Sequence, residues 1–241
     1  MATRLPRVLD IGTSYLATIL RGGRGLAASG AVLRQPQQPV ELYEFEACPY
    51  GRLVREALTE LDLDALIHPC PEGGQRFRPV AQATGGKMQF PFLVDPNTGR
   101  SLYESADIVV YLSETYGSNI RSGNGLLRKL SVAGSYLATG VRMPCGLRAR
   151  PSKAPAQSLE LYSMDASPYC RLVRETLCEL ELPYLLRNTG KGSRNRKTLL
   201  DRAGKVQLPY LIDANTGREM FESPEIVRHL EQTYALTSTA V

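Results

Sequence analysis

The sequence is poor in cysteine and histidine and has no long apolar run. Each of these shortages argues against one class of protein or site. Five cysteines in 241 residues are an odd number and are too widely spaced for the disulfide framework of a small secreted protein. We therefore expect a reducing compartment, either cytoplasmic or plastid-like. No stretch of about 18 apolar residues occurs, so we expect no transmembrane segment. The two histidines are isolated and no cysteine–histidine cluster has metal-ligand spacing, so we predict no metal site.

Acidic residues are the minority, and they are scarcest in the second half of the chain. The net charge is +5. Residues 1–120 carry 11 basic and 13 acidic side chains, whereas residues 121–241 carry 18 and 11. Part of this excess lies in residues 191–197, which either form a solvated loop and helix face or bind an acidic partner, a phosphate or a membrane surface. No aromatic residues interleave with these charges, so we expect no nucleic-acid partner.

What the sequence does contain is an internal repeat. Residues 49–56 read Pro-Tyr-Gly-Arg-Leu-Val-Arg-Glu, and residues 168–175 repeat them with Cys in place of Gly. A second motif, at 89–95, recurs at 207–213. The repeat indicates two copies of about 120 residues each. We expect four segments, which are a helix and connector at 1–39, a first domain at 40–120, a second helix and connector at 121–158, and a second domain at 159–241.

Each copy predicts the element order β-α-β-α-β-β-α. The first two strands are joined through a helix and should be parallel, whereas the last two are joined by a tight Asn-Thr-Gly turn and should be antiparallel. This order is the thioredoxin-like layout. The predicted fold class is therefore α/β, with two tandem thioredoxin-like domains that each contain a mixed four-stranded sheet.

An extra amphipathic helix precedes each domain, at 7–21 and 126–142. Apolar residues recur at spacings of three and four in both helices. The sequence Ser-Tyr-Leu-Ala-Thr also occurs in both, at 14–18 and 135–139. Because an apolar stripe needs a partner, we expect these helices to lie against the domains or against each other, and the two domains to form a compact pair.

Cys48 is the main candidate for chemistry. It stands where a strand meets a helix, and the free N–H groups and dipole of a helix N-terminus lower the pKa of a thiol. The alternative is a buried packing cysteine. Position 51 is Gly, so a reactive Cys48 would act as a monothiol with an external thiol resolving the mixed disulfide. Tyr50 lies in the same turn and is a candidate ligand-binding residue.

The second copy carries Ser167 and Cys170 at the corresponding turn. Ser167 would either donate a hydrogen bond to a bound thiolate or simply cap the helix. Cys170, one turn into the helix, is a weaker candidate that we expect to be more buried. Cys70 follows the second strand of the first copy and is a weak candidate for a resolving or regulatory thiol.

A proline opens the third strand of each copy. Pro91 and Pro209 each follow an extended residue, and this context indicates a tight or cis peptide bond, of which we expect the cis bond. Such a bond would leave the backbone groups of Phe90 and Leu208 free to pair with an extended peptide ligand, as in strand addition.

A Glu-Ser pair stands before the last helix of each copy. Glu104-Ser105 and Glu222-Ser223 place a carboxylate, a hydroxyl and free helix N–H groups together, which is suited to binding a carboxylate. The alternative is that Ser105 and Ser223 are plain helix caps.

These motifs, in this order and twice, resemble the N-terminal domain of glutathione S-transferases and the related glutaredoxins. The resemblance covers about residues 40–117 and 159–235, and it extends to tandem proteins of bacteria and plastids that have two such domains. It implies glutathione as ligand or cosubstrate. In that family the peptide before the cis-proline holds the cysteinyl backbone of glutathione and the Glu-Ser pair receives its γ-glutamyl end. The residues implicated in this way are Phe90, Pro91, Glu104, Ser105, Leu208, Pro209, Glu222 and Ser223.

The resemblance and the single thiol of the first turn favour a glutathione-dependent thiol–disulfide oxidoreductase that acts through Cys48. Its partner would be a glutathionylated or disulfide-containing protein. The alternative is a non-catalytic scaffold of degenerate domains that holds glutathione or a partner. Conjugation of electrophiles is less expected, because between the domains the chain has only a connector and one helix instead of the large helical domain of a transferase. An iron–sulfur cluster bridged by Cys48 and glutathione is a further alternative.

Overall fold

Two copies of one element order follow each other along the chain. The computed structural model describes residues 7–28, 35–117 and 125–236. The first copy consists of α1 (Arg7–Leu20), β1 (Val40–Glu44), α2 (Pro49–Glu60), β2 (Ala65–Pro69), α3 (Arg78–Gly85), β3 (Phe92–Asp95), β4 (Arg100–Leu102) and α4 (Ser105–Tyr116). The second consists of α5 (Gly125–Gly140), β5 (Leu159–Ser163), α6 (Pro168–Glu179), β6 (Tyr184–Asn188), α7 (Asn195–Ala203), β7 (Tyr210–Asp213), β8 (Arg218–Phe221) and α8 (Ser223–Tyr234). The predicted fold class is confirmed. In the described residues, no helix has the length and apolar character needed to cross a bilayer.

Apolar side chains of helices α2, α4, α6 and α8 form one core against the sheet. Val54 and Leu58 of α2 and Val173 and Leu177 of α6 are fully buried in it. Their spacing of four places each pair on one side of its helix. The strands pair as expected, with β1 and β2 parallel, β5 and β6 parallel, and the hairpins β3–β4 and β7–β8 antiparallel.

The two copies share a single sheet, which the sequence did not predict. Strand β2 pairs antiparallel with β6, and the register joins Ala65 to Leu186, Leu66 to Leu185 and Ile67 to Tyr184. The strand order is β4-β3-β1-β2-β6-β5-β7-β8. Instead of two separate four-stranded sheets, the described residues form one eight-stranded sheet that ends in the short strands β4 and β8.

The extra helices α1 and α5 are exchanged between the copies. Helix α1 contacts α6 of the second copy, α5 contacts α2 of the first, and the two helices also contact each other. Ser14 Oγ donates to the carbonyl of Pro168 at 2.9 Å, and Ser135 Oγ donates to that of Pro49 at 2.6 Å. The expected contact of these helices with the domains is confirmed, and each helix serves the copy that it does not precede.

The expected orientation of these helices is wrong. In α1, Ser14 and Ala17 are buried while Leu16 and Ile19 are exposed, so the polar side faces inward. The reason is the demand of buried arginines for oxygen acceptors. Arg171 donates to the carbonyl of Ser14 at 2.6 Å, and Arg142 donates to the carbonyl of Asp10 at 2.8 Å. The apolar stripe of the helix is therefore left on the outside.

Candidate functional site

The thiol turn of the first copy lies between the end of β1 and the start of α2. Cys48 is the N-cap residue of α2, and its Sγ accepts a hydrogen bond from the N–H of Gly51 at 3.3 Å. The same Sγ lies 4.0 Å from the carbonyl oxygen of Phe90. The fold thus brings together the thiol and the residue before Pro91, as the sequence predicted. The side chain of Cys48 is only 3% exposed.

The electrostatic surroundings of Cys48 disfavour a thiolate. Burial raises the pKa of this thiol, the N–H of Gly51 lowers it, and the negative charge of Glu44 raises it again. Desolvation and a nearby carboxylate outweigh the helix N-terminus here. The lowered pKa predicted for Cys48 is therefore wrong.

Glu44 occupies the space that a side chain at position 51 would fill. A Cβ atom added to Gly51 would lie 2.6 Å from Glu44 Oε2 and 3.4 Å from the Cβ of Cys48. Glu44 is buried and forms an ion pair with Arg55. Burial raises the pKa of Glu44 to about 7, although Arg55 opposes this shift. The glycine of the first turn thus makes room for a buried carboxylate.

The corresponding turn of the second copy is arranged differently. Ser167 caps α6, and its Oγ accepts a hydrogen bond from the N–H of Cys170 at 3.2 Å. Cys170 is fully buried, as expected. Ser163 stands where the first copy has Glu44. The second copy therefore combines a cysteine with a serine where the first combines a glycine with a glutamate.

Tyrosines from the exchanged helices cover both turns. The hydroxyl of Tyr136 on α5 lies 3.0 Å from that of Tyr50, and the two rings meet edge to face. Tyr15 on α1 and Tyr169 of the second turn form the same kind of pair. Tyr50 therefore lies at the rim of the first turn with its hydroxyl engaged. The residue Tyr136 was missed by sequence reasoning, although the repeated Ser-Tyr-Leu-Ala-Thr was a signal for it.

The two proline-opened strands have the predicted backbone. The peptide bonds Phe90–Pro91 and Leu208–Pro209 are both cis. A third cis bond, Met143–Pro144, was not predicted. The residues before Pro91 and Pro209 thus occupy the same position in both copies.

The Glu-Ser pairs adopt a conformation that differs from plain capping. Helices α4 and α8 begin at Ser105 and Ser223, and the N-cap residues are Glu104 and Glu222 at φ 64° and 67°. The alternative that these serines are the N-caps is therefore wrong. Neither Glu104 nor Glu222 caps its helix with its own side chain, so the first-turn N–H groups lack the usual partner from the N-cap residue.

A glutamine links each Glu-Ser pair to the proline-opened strand. Gln89 Nε2 donates to Glu104 Oε1 at 2.5 Å, and Gln207 donates to Glu222 in the same way. Because Gln89 directly precedes Phe90, the thiol turn and the start of α4 are connected in space. Gln89 and Gln207 were not among the predicted site residues, although both belong to the repeated motif.

Comparison with known proteins agrees with this geometry. The family described as "Glutathione S-transferase, N-terminal domain" matches residues 42–120 and 161–238, which is more than half of the chain. The chain belongs to this family. A solved structure of a Bombyx mori glutathione transferase is 28% identical over 36% of this chain, with a TM-score of 0.32. The chain spans 39% of that structure. No curated protein matches the chain.

Cys70 is enclosed within the first glutathione S-transferase (GST) N-terminal domain. It is fully buried beside Tyr43, Ala81 and Phe92, and its Sγ donates to the carbonyl of His68 at 3.4 Å. Burial raises the pKa of this thiol far above its usual range. The surroundings are those of a packing cysteine, and they do not fit an exposed resolving thiol.

A group of possible metal ligands occurs where α1 approaches the second GST N-terminal domain. Ligand atoms of Asp10, Cys145 and Glu175 lie within 4.8 Å of one another. The guanidinium of Arg142 pairs with Asp10 at 2.8 Å and with Glu175 at 2.5 Å. A positive charge already neutralises these carboxylates, so the set does not fit a cation.

Buried charges connect the two GST N-terminal domains behind the thiol turns. Asp165 accepts hydrogen bonds from Arg55 at 3.0 Å and from Arg174 at 3.2 Å, and Glu46 accepts from Arg174 at 3.1 Å. Arg174, Arg55 and other arginines hold the pKa of Asp165 well below its usual range, even though burial acts the other way. These pairs join side chains from both halves of the chain.

Two equivalent arginines at this interface are satisfied unequally. Arg171 donates to the carbonyl of Ser14 and lies 3.2 Å from Thr18 Oγ1. Its counterpart Arg52 is equally buried, yet among the described residues both its Nε and its Nη1 lack a hydrogen-bond partner, whereas Arg171 lacks one at Nε alone. The corresponding hydroxyl, Thr139 Oγ1, also has no partner within the described ranges. The interface is therefore repeated in outline but not in detail.

Proposed function

We propose that the first GST N-terminal domain binds glutathione in the strip that runs from Cys48 to the N-terminus of α4. The observation that carries this proposal is the connected path from Cys48 to Phe90 and from Gln89 to Glu104. Glutathione is an extended tripeptide whose central cysteine carries the thiol and whose γ-glutamyl end carries an α-ammonium and an α-carboxylate group. The strip offers a matching partner for each of these features.

The chemistry of recognition follows from the strip. The open N–H groups at the start of α4 are suited to the α-carboxylate, and the Glu104 side chain is suited to the α-ammonium group. The backbone of Phe90 would pair with the central peptide of the ligand. The ligand thiol would then lie at the Cys48 turn. The second domain repeats Leu208, Glu222 and Ser223 in the same places, so it is a second binding strip in this proposal.

The proposal is binding rather than rapid turnover. Burial and Glu44 raise the pKa of Cys48, so this residue is a neutral thiol at pH 7. The thiolate is the nucleophile in thiol–disulfide exchange, and a neutral thiol reacts poorly. The raised pKa of Cys48 and the poor reactivity of a neutral thiol both agree with a protein that binds glutathione without reacting with it quickly.

The second candidate is slow monothiol exchange, which the hydrogen bond from the Gly51 N–H to Cys48 Sγ favours. The Cys48 thiolate would attack the glutathionyl sulfur of a glutathionylated protein. The Cys48–glutathione disulfide forms as the original disulfide breaks, and the released protein thiolate takes a proton. A second glutathione thiolate then attacks this mixed disulfide, which frees Cys48 and leaves oxidised glutathione.

Calorimetric titration of the full chain with reduced glutathione tests the binding proposal. We expect Glu104→Gln to weaken binding about ten-fold, because it removes one charge-assisted hydrogen bond. Glu222→Gln should act equally on the second strip, and the double variant should lose most of the heat. Asp201→Asn, at an exposed ion pair with Lys197 on α7 and outside both strips, is the matched control. Wild-type protein that releases no heat with millimolar glutathione would refute the proposal.

The pH dependence of Cys48 alkylation separates binding from exchange. The expected rate at pH 7 is below that of a free cysteine, and it should rise only at alkaline pH because burial raises the pKa. Cys48→Ser gives the background from the other thiols. If Cys48 titrates below pH 7 and its loss abolishes reduction of a glutathione mixed disulfide, exchange is the primary function.

A further inference from the structure

The exchanged helices direct their apolar residues away from the protein. Ile19 of α1 is 70% exposed and Leu137 of α5 is 62% exposed. The same outward sides carry further exposed apolar residues, which are Leu9, Tyr15, Leu16 and Leu20 on α1 and Leu130 and Tyr136 on α5. A scattered exposed leucine is ordinary, but a contiguous row on two neighbouring helices marks an interaction surface.

The two helices lie side by side, so their outward sides form one surface, which we name the α1–α5 face. Arg21 at the end of α1 donates to the carbonyl of Ser131 on α5 at 2.5 Å, and Arg142 donates back to the carbonyl of Asp10 on α1 at 2.8 Å. At Gly134 a Cβ atom would lie 3.4 Å from the carbonyl oxygen of Leu20. The α1–α5 face is thus held as a unit by polar contacts on its inner side.

The charges of these segments are almost all positive. Residues 1–28 contain one acid, Asp10, and residues 118–143 contain none. Asp10 is neutralised by Arg142. The basic residues of the two segments are Arg4, Arg7, Arg21, Arg24, Arg121, Arg128, Lys129 and Arg142. Of these, Arg21, Arg24 and Arg142 pair with carboxylates, while Lys129 is exposed in the first turns of α5.

We propose that the α1–α5 face rests on an anionic lipid surface. An amphipathic helix with leucines on one side and basic residues at its flanks lies in the headgroup region, where apolar side chains enter the acyl boundary and lysines and arginines meet phosphate. Exposed tyrosines at the rim suit the same region. Neither helix is long and apolar enough to cross the bilayer. Lipid contact also explains why the apolar sides of α1 and α5 face outward. The polar side of each helix forms its hydrogen bonds with the rest of the protein.

Charge decides between a membrane and a second copy of the chain. A second copy would bring another set of basic residues against the first, and like charges at an interface are unfavourable. An anionic lipid surface complements them. The aromatic pairs Tyr15–Tyr169 and Tyr50–Tyr136 extend the α1–α5 face towards both thiol turns. Binding to lipid would therefore place the turns close to the membrane surface.

Co-sedimentation of the full chain with vesicles tests the proposal. The vesicles contain either phosphatidylcholine alone or equal parts of phosphatidylcholine and phosphatidylglycerol. We expect binding to the anionic vesicles, at least about ten-fold weaker binding to the neutral ones, and weakening by added salt. The double variant Ile19→Glu/Leu137→Glu should lose binding, and it should still fold because both side chains are exposed. Leu200→Glu on α7, where the leucine is 48% exposed, is the matched control and should bind like wild type.

Sedimentation velocity of the same proteins without lipid tests the alternative that a second copy of the chain covers the α1–α5 face. The proposal expects the same oligomeric state for wild type and the double variant. If the wild-type protein binds neither kind of vesicle, the proposal is overturned. If it instead forms a dimer that the double variant dissociates, the α1–α5 face is an interface between two copies. Equal binding of wild type and a folded double variant would also overturn it, since lipid would then be held elsewhere.

Discussion

The two thiol turns have the same backbone but different side chains. The residue at the end of the preceding strand, Glu44 in the first copy and Ser163 in the second, differs as well. In the first copy a glycine at position 51 faces the carboxylate of Glu44. In the second copy, Cys170 and the shorter Ser163 occupy the positions of Gly51 and Glu44. In each copy a larger side chain at one of these two positions accompanies a smaller one at the other, as close packing requires. The turn that has glycine thus has a buried carboxylate beside it, and the turn that has cysteine does not.

The largest difference in stability is expected between variants that remove the buried carboxylates Asp165 and Glu44. Asp165→Asn should lower the free energy of unfolding by about 3–5 kcal/mol, because it removes one of the two buried carboxylates, Asp165 and Glu46, that Arg55 and Arg174 share. Glu44→Gln should cost much less near pH 7, because the raised pKa leaves Glu44 about half protonated there. Urea unfolding of the two variants beside wild type measures this. Equal losses would mean that Glu44 carries a full charge and that the turns differ less than proposed.

Restoring the second cysteine of the first turn should be the next largest effect. Gly51→Cys should destabilise the protein by about 2–3 kcal/mol, because the new Cβ meets Glu44 Oε2 at 2.6 Å. Adding Glu44→Ser copies the arrangement of the second turn, so the double variant should be more stable than Gly51→Cys alone. Denaturation midpoints of the single and double variants give the coupling between the positions. If the two losses simply add, the contents of the turns are not linked through volume.

The smallest expected contrast concerns the two equivalent arginines. Arg171→Met should cost about 1–2 kcal/mol, since it removes hydrogen bonds to Ser14 on α1. Arg52→Met should leave stability unchanged or raise it, because the unpartnered Nε and Nη1 are replaced by an apolar chain. Thermal unfolding compares the two. A clear loss for Arg52→Met would show that this arginine finds partners in solution.

Most of the fold could be predicted from local pattern. The repeated motifs placed α2 and α6 directly after the thiol turns, and the Asn-Thr-Gly turns located the hairpin at each end of the sheet. The order of elements then left few topologies. The cis bonds before Pro91 and Pro209 followed from the family resemblance together with the position of each proline.

The parts that could not be predicted depend on long-range pairing. The sequence of β2 is that of any buried strand, and nothing local states that its free edge pairs with β6. The inward polar side of α1 depends on Arg142 and Arg171, which are distant in sequence and need its oxygen atoms. The raised pKa of Cys48 likewise depends on burial and on Glu44, which a local rule about helix N-termini does not include.

The pairing of β2 with β6 has a consequence for how the two copies can differ. Leu66 pairs with Leu185, its own counterpart in the repeat, and each neighbour pairs reciprocally. This is the geometry of a two-fold symmetric homodimer, in which both subunits contribute the same patch. Two identical chains would have to place Glu44 on both sides of the axis, or on neither. Because a single chain encodes both halves, it can bury one such carboxylate and keep one capping cysteine. Covalent fusion of the halves thus permits an asymmetry at the thiol turns that a homodimer of identical subunits cannot have.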